Sequence, residues 1–132
     1  MNKPLLWIEL RLQGIKCEPD EVARILDLCP TAAWRVGDYI EGTLLKRKNS
    51  AWVYRFGQQY TFDSEQLLIE LLDFIKPYES SIISASQKYQ LDVEISFCIT
   101  MTGSAPALWF SSSTIERMHM INAGLDIDIV LA

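Results

Sequence analysis

The chain has 132 residues, 49% of them hydrophobic, with 12 basic against 17 acidic side chains and a formal net charge of −5. This length predicts a single domain over residues 1–132, and the apolar content excludes a disordered chain. No run approaches the roughly 20 apolar residues of a membrane-spanning helix, and the acidic balance argues against nucleic acid, whose binding depends on Lys and Arg.

The N-terminal segment predicts a strand followed by a short helix. Residues 5–13 alternate between apolar and polar side chains, which indicates a β-strand with one buried face. Pro19 is then followed by Asp20 and Glu21. Proline suits the first helical position and acidic side chains suit the first turn, so a helix is predicted to begin here and to stop before Pro30.

Two further helix starts are predicted from capping patterns. Asp63 or Ser64 is predicted to cap the first of them, with Asp63 three residues before Gln66, and Ser113 stands three residues before Glu116. In each pair the first side chain can accept a hydrogen bond from the backbone of the third helical residue. Pro77 interrupts the first of these helices and predicts a kink or a restart.

The second half of the chain carries two more alternating strands. Residues 91–101 alternate as the first strand does, and residues 125–131 alternate with Asp126 and Asp128 pointing outward. The apolar residues of the last strand are predicted to point inward. Gly124 predicts the end of the preceding helix, because glycine readily adopts the left-handed conformation found there.

These elements predict an α+β fold. Each half of the chain opens with an alternating strand and later supplies a helix, with no linker between the halves. We expect a single domain with a mostly antiparallel sheet, helices packed on one face, and two pseudo-similar halves, because alternating strands bury only one side.

The outward residues predict an acidic sheet face if the three alternating strands are neighbours. This candidate partner-binding set comprises Trp7, Glu9, Asp92, Glu94, Asp126 and Asp128. Such a face suits a basic protein, and tryptophan is a frequent anchor of interfaces. A solvated face that only keeps the protein soluble is the alternative. Carboxylates at alternate strand positions lie side by side rather than converging on one ion, so we predict no metal site and no cofactor.

A basic segment in the middle of the chain is a second candidate contact. Residues 43–47 and 51–56 flank Lys48-Asn49-Ser50 and predict a β-hairpin. Lys46, Arg47 and Lys48 would lie at its tip, where we expect them to reach a protein partner. A nucleic-acid surface, with aromatic side chains stacked on bases, is the alternative interpretation of this segment, and we do not favour it.

Catalytic motifs are sparse, and we predict that the protein is not an enzyme. Cys17, Cys29 and Cys98 have neither disulfide nor zinc-site spacing, which fits a reducing cytoplasm. His119 is the only histidine and is expected on a helix surface. The sequence contains no phosphate-binding loop and no nucleophile elbow.

Several motifs occur in a characteristic order. They are Leu28-Cys29-Pro30-Thr31, Trp34-Arg35-Val36-Gly37-Asp38, Trp52 and the closing Gly124-Leu125-Asp126-Ile127-Asp128-Ile129. In this order the chain resembles the bacterial domain-of-unknown-function family 4279 along nearly its whole length. The resemblance implies a small cytoplasmic protein with no established catalytic residues, and some members look like immunity proteins that accompany toxins.

We therefore expect a non-catalytic binding protein, an immunity protein that neutralises a cognate and basic bacterial toxin domain by direct binding. It would act in the cytoplasm as a monomer or weak dimer, without nucleic acid or membrane as a partner. The alternative is a small-ligand-binding or regulatory ferredoxin-like domain with a cleft lined by Trp34, Tyr39 and Trp52. An enzyme using Cys17, Cys29 or His119 is the third hypothesis.

Overall fold

A five-stranded sheet carries all the helices on one face. The computed structural model describes residues 2–132. The strands are β1 (Leu5–Gly14), β2 (Ala32–Trp34), β3 (Ser50–Tyr60), β4 (Asp92–Met101) and β5 (Ala123–Leu131). The helices are α1 (Pro19–Leu26), α2 (Ser64–Ile75), α3 (Glu79–Tyr89) and α4 (Ser112–Met120).

The strand order is β2-β3-β1-β4-β5, and only the β4–β5 pair is parallel. The first four strands with α1, α2 and α3 have the β-α-β-β-α-β arrangement of ferredoxin-like folds. The helix α4 then returns the chain so that β5 can lie parallel to β4. The predicted α+β fold with a mostly antiparallel sheet is confirmed. The predicted likeness of the two halves does not extend to strand pairing, since β4 and β5 are adjacent whereas β3 separates β1 from β2.

The apolar face of β1 lies at the centre of the core. Its side chains Leu6, Ile8, Leu10 and Leu12 are fully buried. They belong to one cluster with apolar residues of all four helices, among them Val22, Leu71, Ile82 and Met118. Burying each such side chain contributes about 1.5 to 3 kcal/mol. This burial fixes which face of β1 meets the helices, and therefore which face remains open.

Most of the predicted helix boundaries are confirmed. Pro19 is the first residue of α1, and Asp63 caps α2 by accepting a hydrogen bond from the Gln66 N–H at 3.0 Å. Pro77 lies in a 3-10 turn (Lys76–Tyr78) that separates α2 from α3. Within residues 2–132 no helix is long and apolar enough to cross a membrane.

Both ends of α4 differ from the prediction. Ser111, rather than Ser113, is the N-cap, and its Oγ accepts a hydrogen bond from the Thr114 N–H at 3.3 Å. The carboxylate of Glu65 accepts the Ser111 N–H at 2.5 Å, which holds Ser111 in an extended conformation. At the other end Asn122, with φ of 54°, takes the left-handed position predicted for Gly124. The predicted capping box was therefore wrong because a contact with α2 selects the cap.

The predicted hairpin was also wrong. The strand β3 pairs with β1 and β2, and residues 43–47 form no strand. Residues 37–47, which we call the arm, instead fold back on themselves. The Arg47 N–H donates to the Asp38 carbonyl at 2.6 Å and the Ile40 N–H donates to the Leu45 carbonyl at 2.8 Å. Gly42, with φ of 75°, allows the tight turn at the tip.

The last strand is less buried than its pattern predicted. The apolar residues of β5 lie on the helix side of the sheet, as expected, but all four remain exposed. They are Leu125, Ile127, Ile129 and Leu131. Strand β5 is one of the two edge strands, and the helices cover mainly the strands nearer the centre. Alternation identified the face of these residues but not their exposure.

Candidate functional site

The sheet face opposite the helices, here called the open face, carries the polar side chains of the central strands. Glu9 of β1 lies opposite Ser96 of β4, which lies opposite Asp126 of β5. Directly opposite residues share a face of the sheet. The strand pairing therefore places the six residues predicted from the sequence on this one face. They are Trp7, Glu9, Asp92, Glu94, Asp126 and Asp128.

Glu9 stands at the centre of the open face and is only 7% exposed. Its carboxylate accepts hydrogen bonds from Arg11 Nε at 3.0 Å and Arg11 Nη2 at 2.8 Å. Trp7 Nε1 donates to it at 3.3 Å and Arg55 Nη2 donates at 3.4 Å. Because its neighbours satisfy this carboxylate, Glu9 offers little charge or surface to a partner. It positions the two arginines instead.

Arginine and aromatic side chains dominate the side of the open face formed by β1, β2 and β3. The guanidinium of Arg55 lies 4.8 Å from the centre of the Trp7 ring, and that of Arg47 lies 3.7 Å from the centre of the Trp34 ring. Such cation–π stacks leave a flat, partly exposed cationic surface. The open face is thus not uniformly acidic. Sequence reasoning missed this division because Arg47 and Arg55 were assigned to a hairpin and not to the face that carries Trp7 and Glu9.

The carboxylates of β4 and β5 form the other side, which we call the acidic strip: Asp92, Glu94, Asp126 and Asp128. Asp126 accepts a hydrogen bond from Ser96 Oγ at 2.8 Å, and Glu94 lies 3.7 Å from Arg11 Nη1. Burial raises the pKa of Glu94, the charge of Asp126 raises it further, and Arg11 opposes them. Among residues 2–132, Asp92, Asp126 and Asp128 have no salt-bridge partner. The strip therefore carries uncompensated negative charge.

The arm borders a concavity on the β2–β3 side of the open face, and Lys46 and Arg47 lie on its returning limb. Lys46 lies 5.4 Å from the centre of the Tyr39 ring, while Lys48 is exposed at the base of the arm. The concavity has a volume of about 510 Å³. Its lining includes Glu9, Arg11, Trp34, Tyr39, Arg47 and Arg55.

The cleft predicted from Trp34, Tyr39 and Trp52 is only partly correct. Trp34 and Tyr39 line the concavity. Trp52 is fully buried on the helix face, where its Nε1 donates to the Leu28 carbonyl at 3.3 Å. Because Trp52 pairs with Ala33, the two tryptophans lie on opposite faces of the sheet.

A protein-family model matches nearly the entire chain. Residues 5–132 match the family described as "Domain of unknown function (DUF4279)". The chain belongs to this family. The resemblance deduced from the ordered motifs is thereby confirmed. The searches of curated proteins and of solved structures give no match.

In this DUF4279 member the three cysteines differ in burial. Burial raises the pKa of Cys17 and of Cys98 to about 11, whereas Cys29 is exposed. Cys98 lies on the open face, while His119 is exposed on α4 across the sheet. Within residues 2–132 no group of three or more His, Cys, Asp or Glu side chains is arranged to hold a metal ion.

Proposed function

We propose that this protein is a non-catalytic binding protein that neutralises a basic bacterial toxin domain, as an immunity protein does. The observation that carries the proposal is the acidic strip, in which Asp92, Asp126 and Asp128 are uncompensated. It lies beside stacked tryptophan and arginine side chains, the residue types most enriched at energetically important interface positions. The protein would act in the bacterial cytoplasm as a monomer or weak dimer.

Charge complementarity would speed the encounter between the two proteins. A negative strip on a protein of net charge −5 attracts a basic domain over roughly 8 Å at physiological ionic strength. The stacked Trp7 and Arg55 would then supply apolar contact once water is displaced. Neutralisation by this route needs only a complementary surface that covers the toxin's own site, and requires no chemical step.

Co-expression tests this proposal directly. The C-terminal domain encoded by the gene immediately upstream is produced with or without the full chain, and bacterial growth is measured together with complex formation by size-exclusion chromatography. We expect growth to be restored and a complex to elute. A neighbouring gene without such a domain, or a domain that kills equally in the presence of the protein, would overturn the proposal.

A pair of charge-reversal variants then tests the surface. The double variant Asp92→Lys and Asp128→Lys changes two exposed positions of the acidic strip. The control Glu70→Lys and Glu116→Lys makes the same change in net charge on α2 and α4. We expect the first to slow association about tenfold or more at low salt and the control to have much less effect. Equal slowing would assign the effect to net charge and not to the open face.

The concavity beneath the arm favours a second candidate, the binding of a small anionic ligand. Its three arginines and two aromatic rings could hold a planar anion, although Arg11 and Arg55 already bind Glu9. A thermal-shift screen with small carboxylates and nucleotides tests it, since a ligand that binds only the folded state raises the melting temperature. The shift should disappear in Arg47→Ala. A screen with no shift would remove this candidate.

A further inference from the structure

The two edges of the sheet are protected to different degrees. Strand β2 has three residues and runs into the arm, whereas β5 has nine residues and an outer side with no partner strand among residues 2–132. Proteins usually protect a free edge with short strands, charged side chains (lysine above all), proline or a covering element. Strand β5 contains neither lysine nor proline, and its two charged side chains, Asp126 and Asp128, are both negative. A long open edge of this kind is suited to bind another strand.

Four apolar side chains of β5 form what we call the edge stripe: Leu125, Ile127, Ile129 and Leu131. Their exposed fractions lie between 38 and 78%. The stripe continues into an apolar concavity of about 350 Å³ against α4, lined by Ile115, Met118, His119, Ala123 and Leu125. Contiguous exposed apolar surface of this kind marks interaction sites.

The backbone of the same four residues faces outward. The Ala132 N–H donates to the Met101 carbonyl at 3.0 Å, so the backbone of Ala132 points toward β4. Successive residues of a strand direct their N–H and C=O groups to opposite sides. The four residues of the edge stripe are all odd-numbered, so their N–H and C=O groups point to the free edge. An incoming strand can pair with these groups.

The other side of β5 decides the chemistry of the partner. Asp126 and Asp128 lie on the open face, so a strand added to β5 would place side chains beside them, and opposite charges in such pairs are favourable. We propose that the free edge of β5 binds an extended segment of a partner protein as a sixth strand, and that this segment alternates aliphatic and basic side chains. This inference rests on the proposed function and names the contact that would hold the basic partner.

A second copy of the chain fits this edge less well. If β5 of one copy paired antiparallel with β5 of a second copy and the pairing were centred on Asp128, the two copies of Asp128 would lie opposite each other. A pairing centred on Ile127 would place Asp126 opposite Asp128. Like charges directly opposite destabilise a strand pair. Pairing about Ile129 avoids both but joins only residues 127–131 of the strand. Charge therefore favours a basic segment over self-association.

A labelled peptide provides the test. The probe is a fluorescein-labelled ten-residue peptide of alternating valine and lysine, titrated with the full chain and followed by anisotropy at low salt. We expect binding that weakens about tenfold in the double variant Asp126→Asn and Asp128→Asn. We expect at least the same loss in Ile127→Thr with Ile129→Thr, which keeps β-branched side chains. The matched control, Leu44→Thr with Leu45→Thr at the arm tip, where the two leucines are 92% and 67% exposed, should bind normally.

Backbone pairing is tested on the peptide rather than on the protein, so that a variant that fails to fold cannot obscure the result. N-methylation at alternate residues removes the hydrogen bonds of one edge of the peptide, and methylating the edge that faces β5 should abolish binding. Because the peptide could present either edge, two peptides methylated on opposite sets of residues are compared. If both bind as tightly as the parent peptide, or if the stripe variant binds normally, the inference is overturned.

Further outcomes separate this inference from its alternatives. Sedimentation that shows a wild-type dimer, lost in the stripe variant, would overturn it in favour of a second copy. If the stripe variant neutralises the toxin domain while Asp92→Lys with Asp128→Lys does not, the edge inference fails and the proposed function stands. If the peptide binds as expected but no toxin domain is neutralised, the proposed function fails and the edge site stands.

Discussion

The carboxylate of Glu9 accepts two hydrogen bonds from the guanidinium of Arg11, at 3.0 and 2.8 Å, from two residues further along the same strand. Residues two apart on a strand share a face, so β1 contains both members of this pair. The additional bonds from Trp7 and Arg55 complete a closed ionic cluster at the centre of the open face. Accessible charge on the open face therefore lies at its margins, in the acidic strip and the arm.

Loss of the Glu9 charge should destabilise the fold. The variant Glu9→Gln presents an amide N–H₂ to the arginines and leaves the partly desolvated Arg11 with only the more distant Glu94, at 3.7 Å, as a counter-charge. We expect the free energy of unfolding, measured with urea, to fall by about 2 kcal/mol. Glu21→Gln breaks an exposed pair with Arg24 and is the control, for which we expect little change. If the two variants lose the same small amount of unfolding free energy, the central cluster adds no stability.

The stability contributed by Glu94 should depend on pH. Burial and then Asp126 raise its pKa, so the folded state holds this proton more tightly than the unfolded state does. The stabilisation is complete at low pH and is lost as pH rises from the unfolded toward the folded pKa. Glu94→Gln, which cannot ionise, should therefore gain stability relative to wild type between about pH 4 and pH 7.

Urea unfolding of both proteins across this pH range provides the measurement. Asp92→Asn removes one negative charge at an exposed position of the same strand and is the matched control. An equal gain in the two variants would assign the effect to the charge of the acidic strip as a whole, and not to the burial of Glu94.

A glycine in β3 should not tolerate alanine. Gly57 has φ of 65° at the point where the register of β1 and β3 shifts, and an added Cβ would lie 2.6 Å from Leu67 Cδ1. We expect Gly57→Ala to lower the free energy of unfolding by about 2 kcal/mol or more, through backbone strain and overpacking together. Gly37→Ala, with φ of 92° and no atom within 4 Å of its Cβ, measures the strain alone. If both variants lose the same stability, Leu67 adjusts without cost.

The three cysteines should differ sharply in reactivity. A thiol with a pKa of about 11 is ionised in only about one molecule in a thousand at pH 8, and only the thiolate reacts. Iodoacetamide should therefore label the exposed Cys29 first, and Cys17 and Cys98 only after unfolding, as followed by mass spectrometry. Native labelling of Cys98 at the rate of Cys29 would contradict its burial in the open face.

The sequence predicted individual strands and helices better than the contacts between them. Alternation located β1 and β4 because each has one fully buried face, and local capping chemistry located Asp63. The hairpin failed because β3 finds its partners in β1 and β2, which are distant along the chain. The cap of α4 failed for a similar reason, since Glu65 holds Ser111 from 46 residues away. In both cases contacts between residues far apart in the sequence determined the structure, and a local pattern does not contain them.

The candidate site was also predictable only in part, because local alternation is visible in the sequence and strand register is not. The shared face of Trp7, Glu94 and Asp126 could be deduced from alternation once the strands were assumed to be neighbours. The pairing of Glu9 with Arg55 could not, because 46 residues separate them and only the register of β1 and β3 brings them together. The position of Trp52 also depended on strand register, which buries it beneath the helices on the face opposite Trp34 and not in a shared cleft.

Strand β5 is attached to the sheet through β4 alone, whereas β1 is hydrogen-bonded on both sides. Such a strand can open reversibly while the other four keep their ladders, and its amides should exchange with deuterium ahead of those of β1. Any partner that closes its outer side would suppress this local opening. Part of the binding energy would then be spent on ordering the strand, and protection against exchange would report the occupancy of the edge.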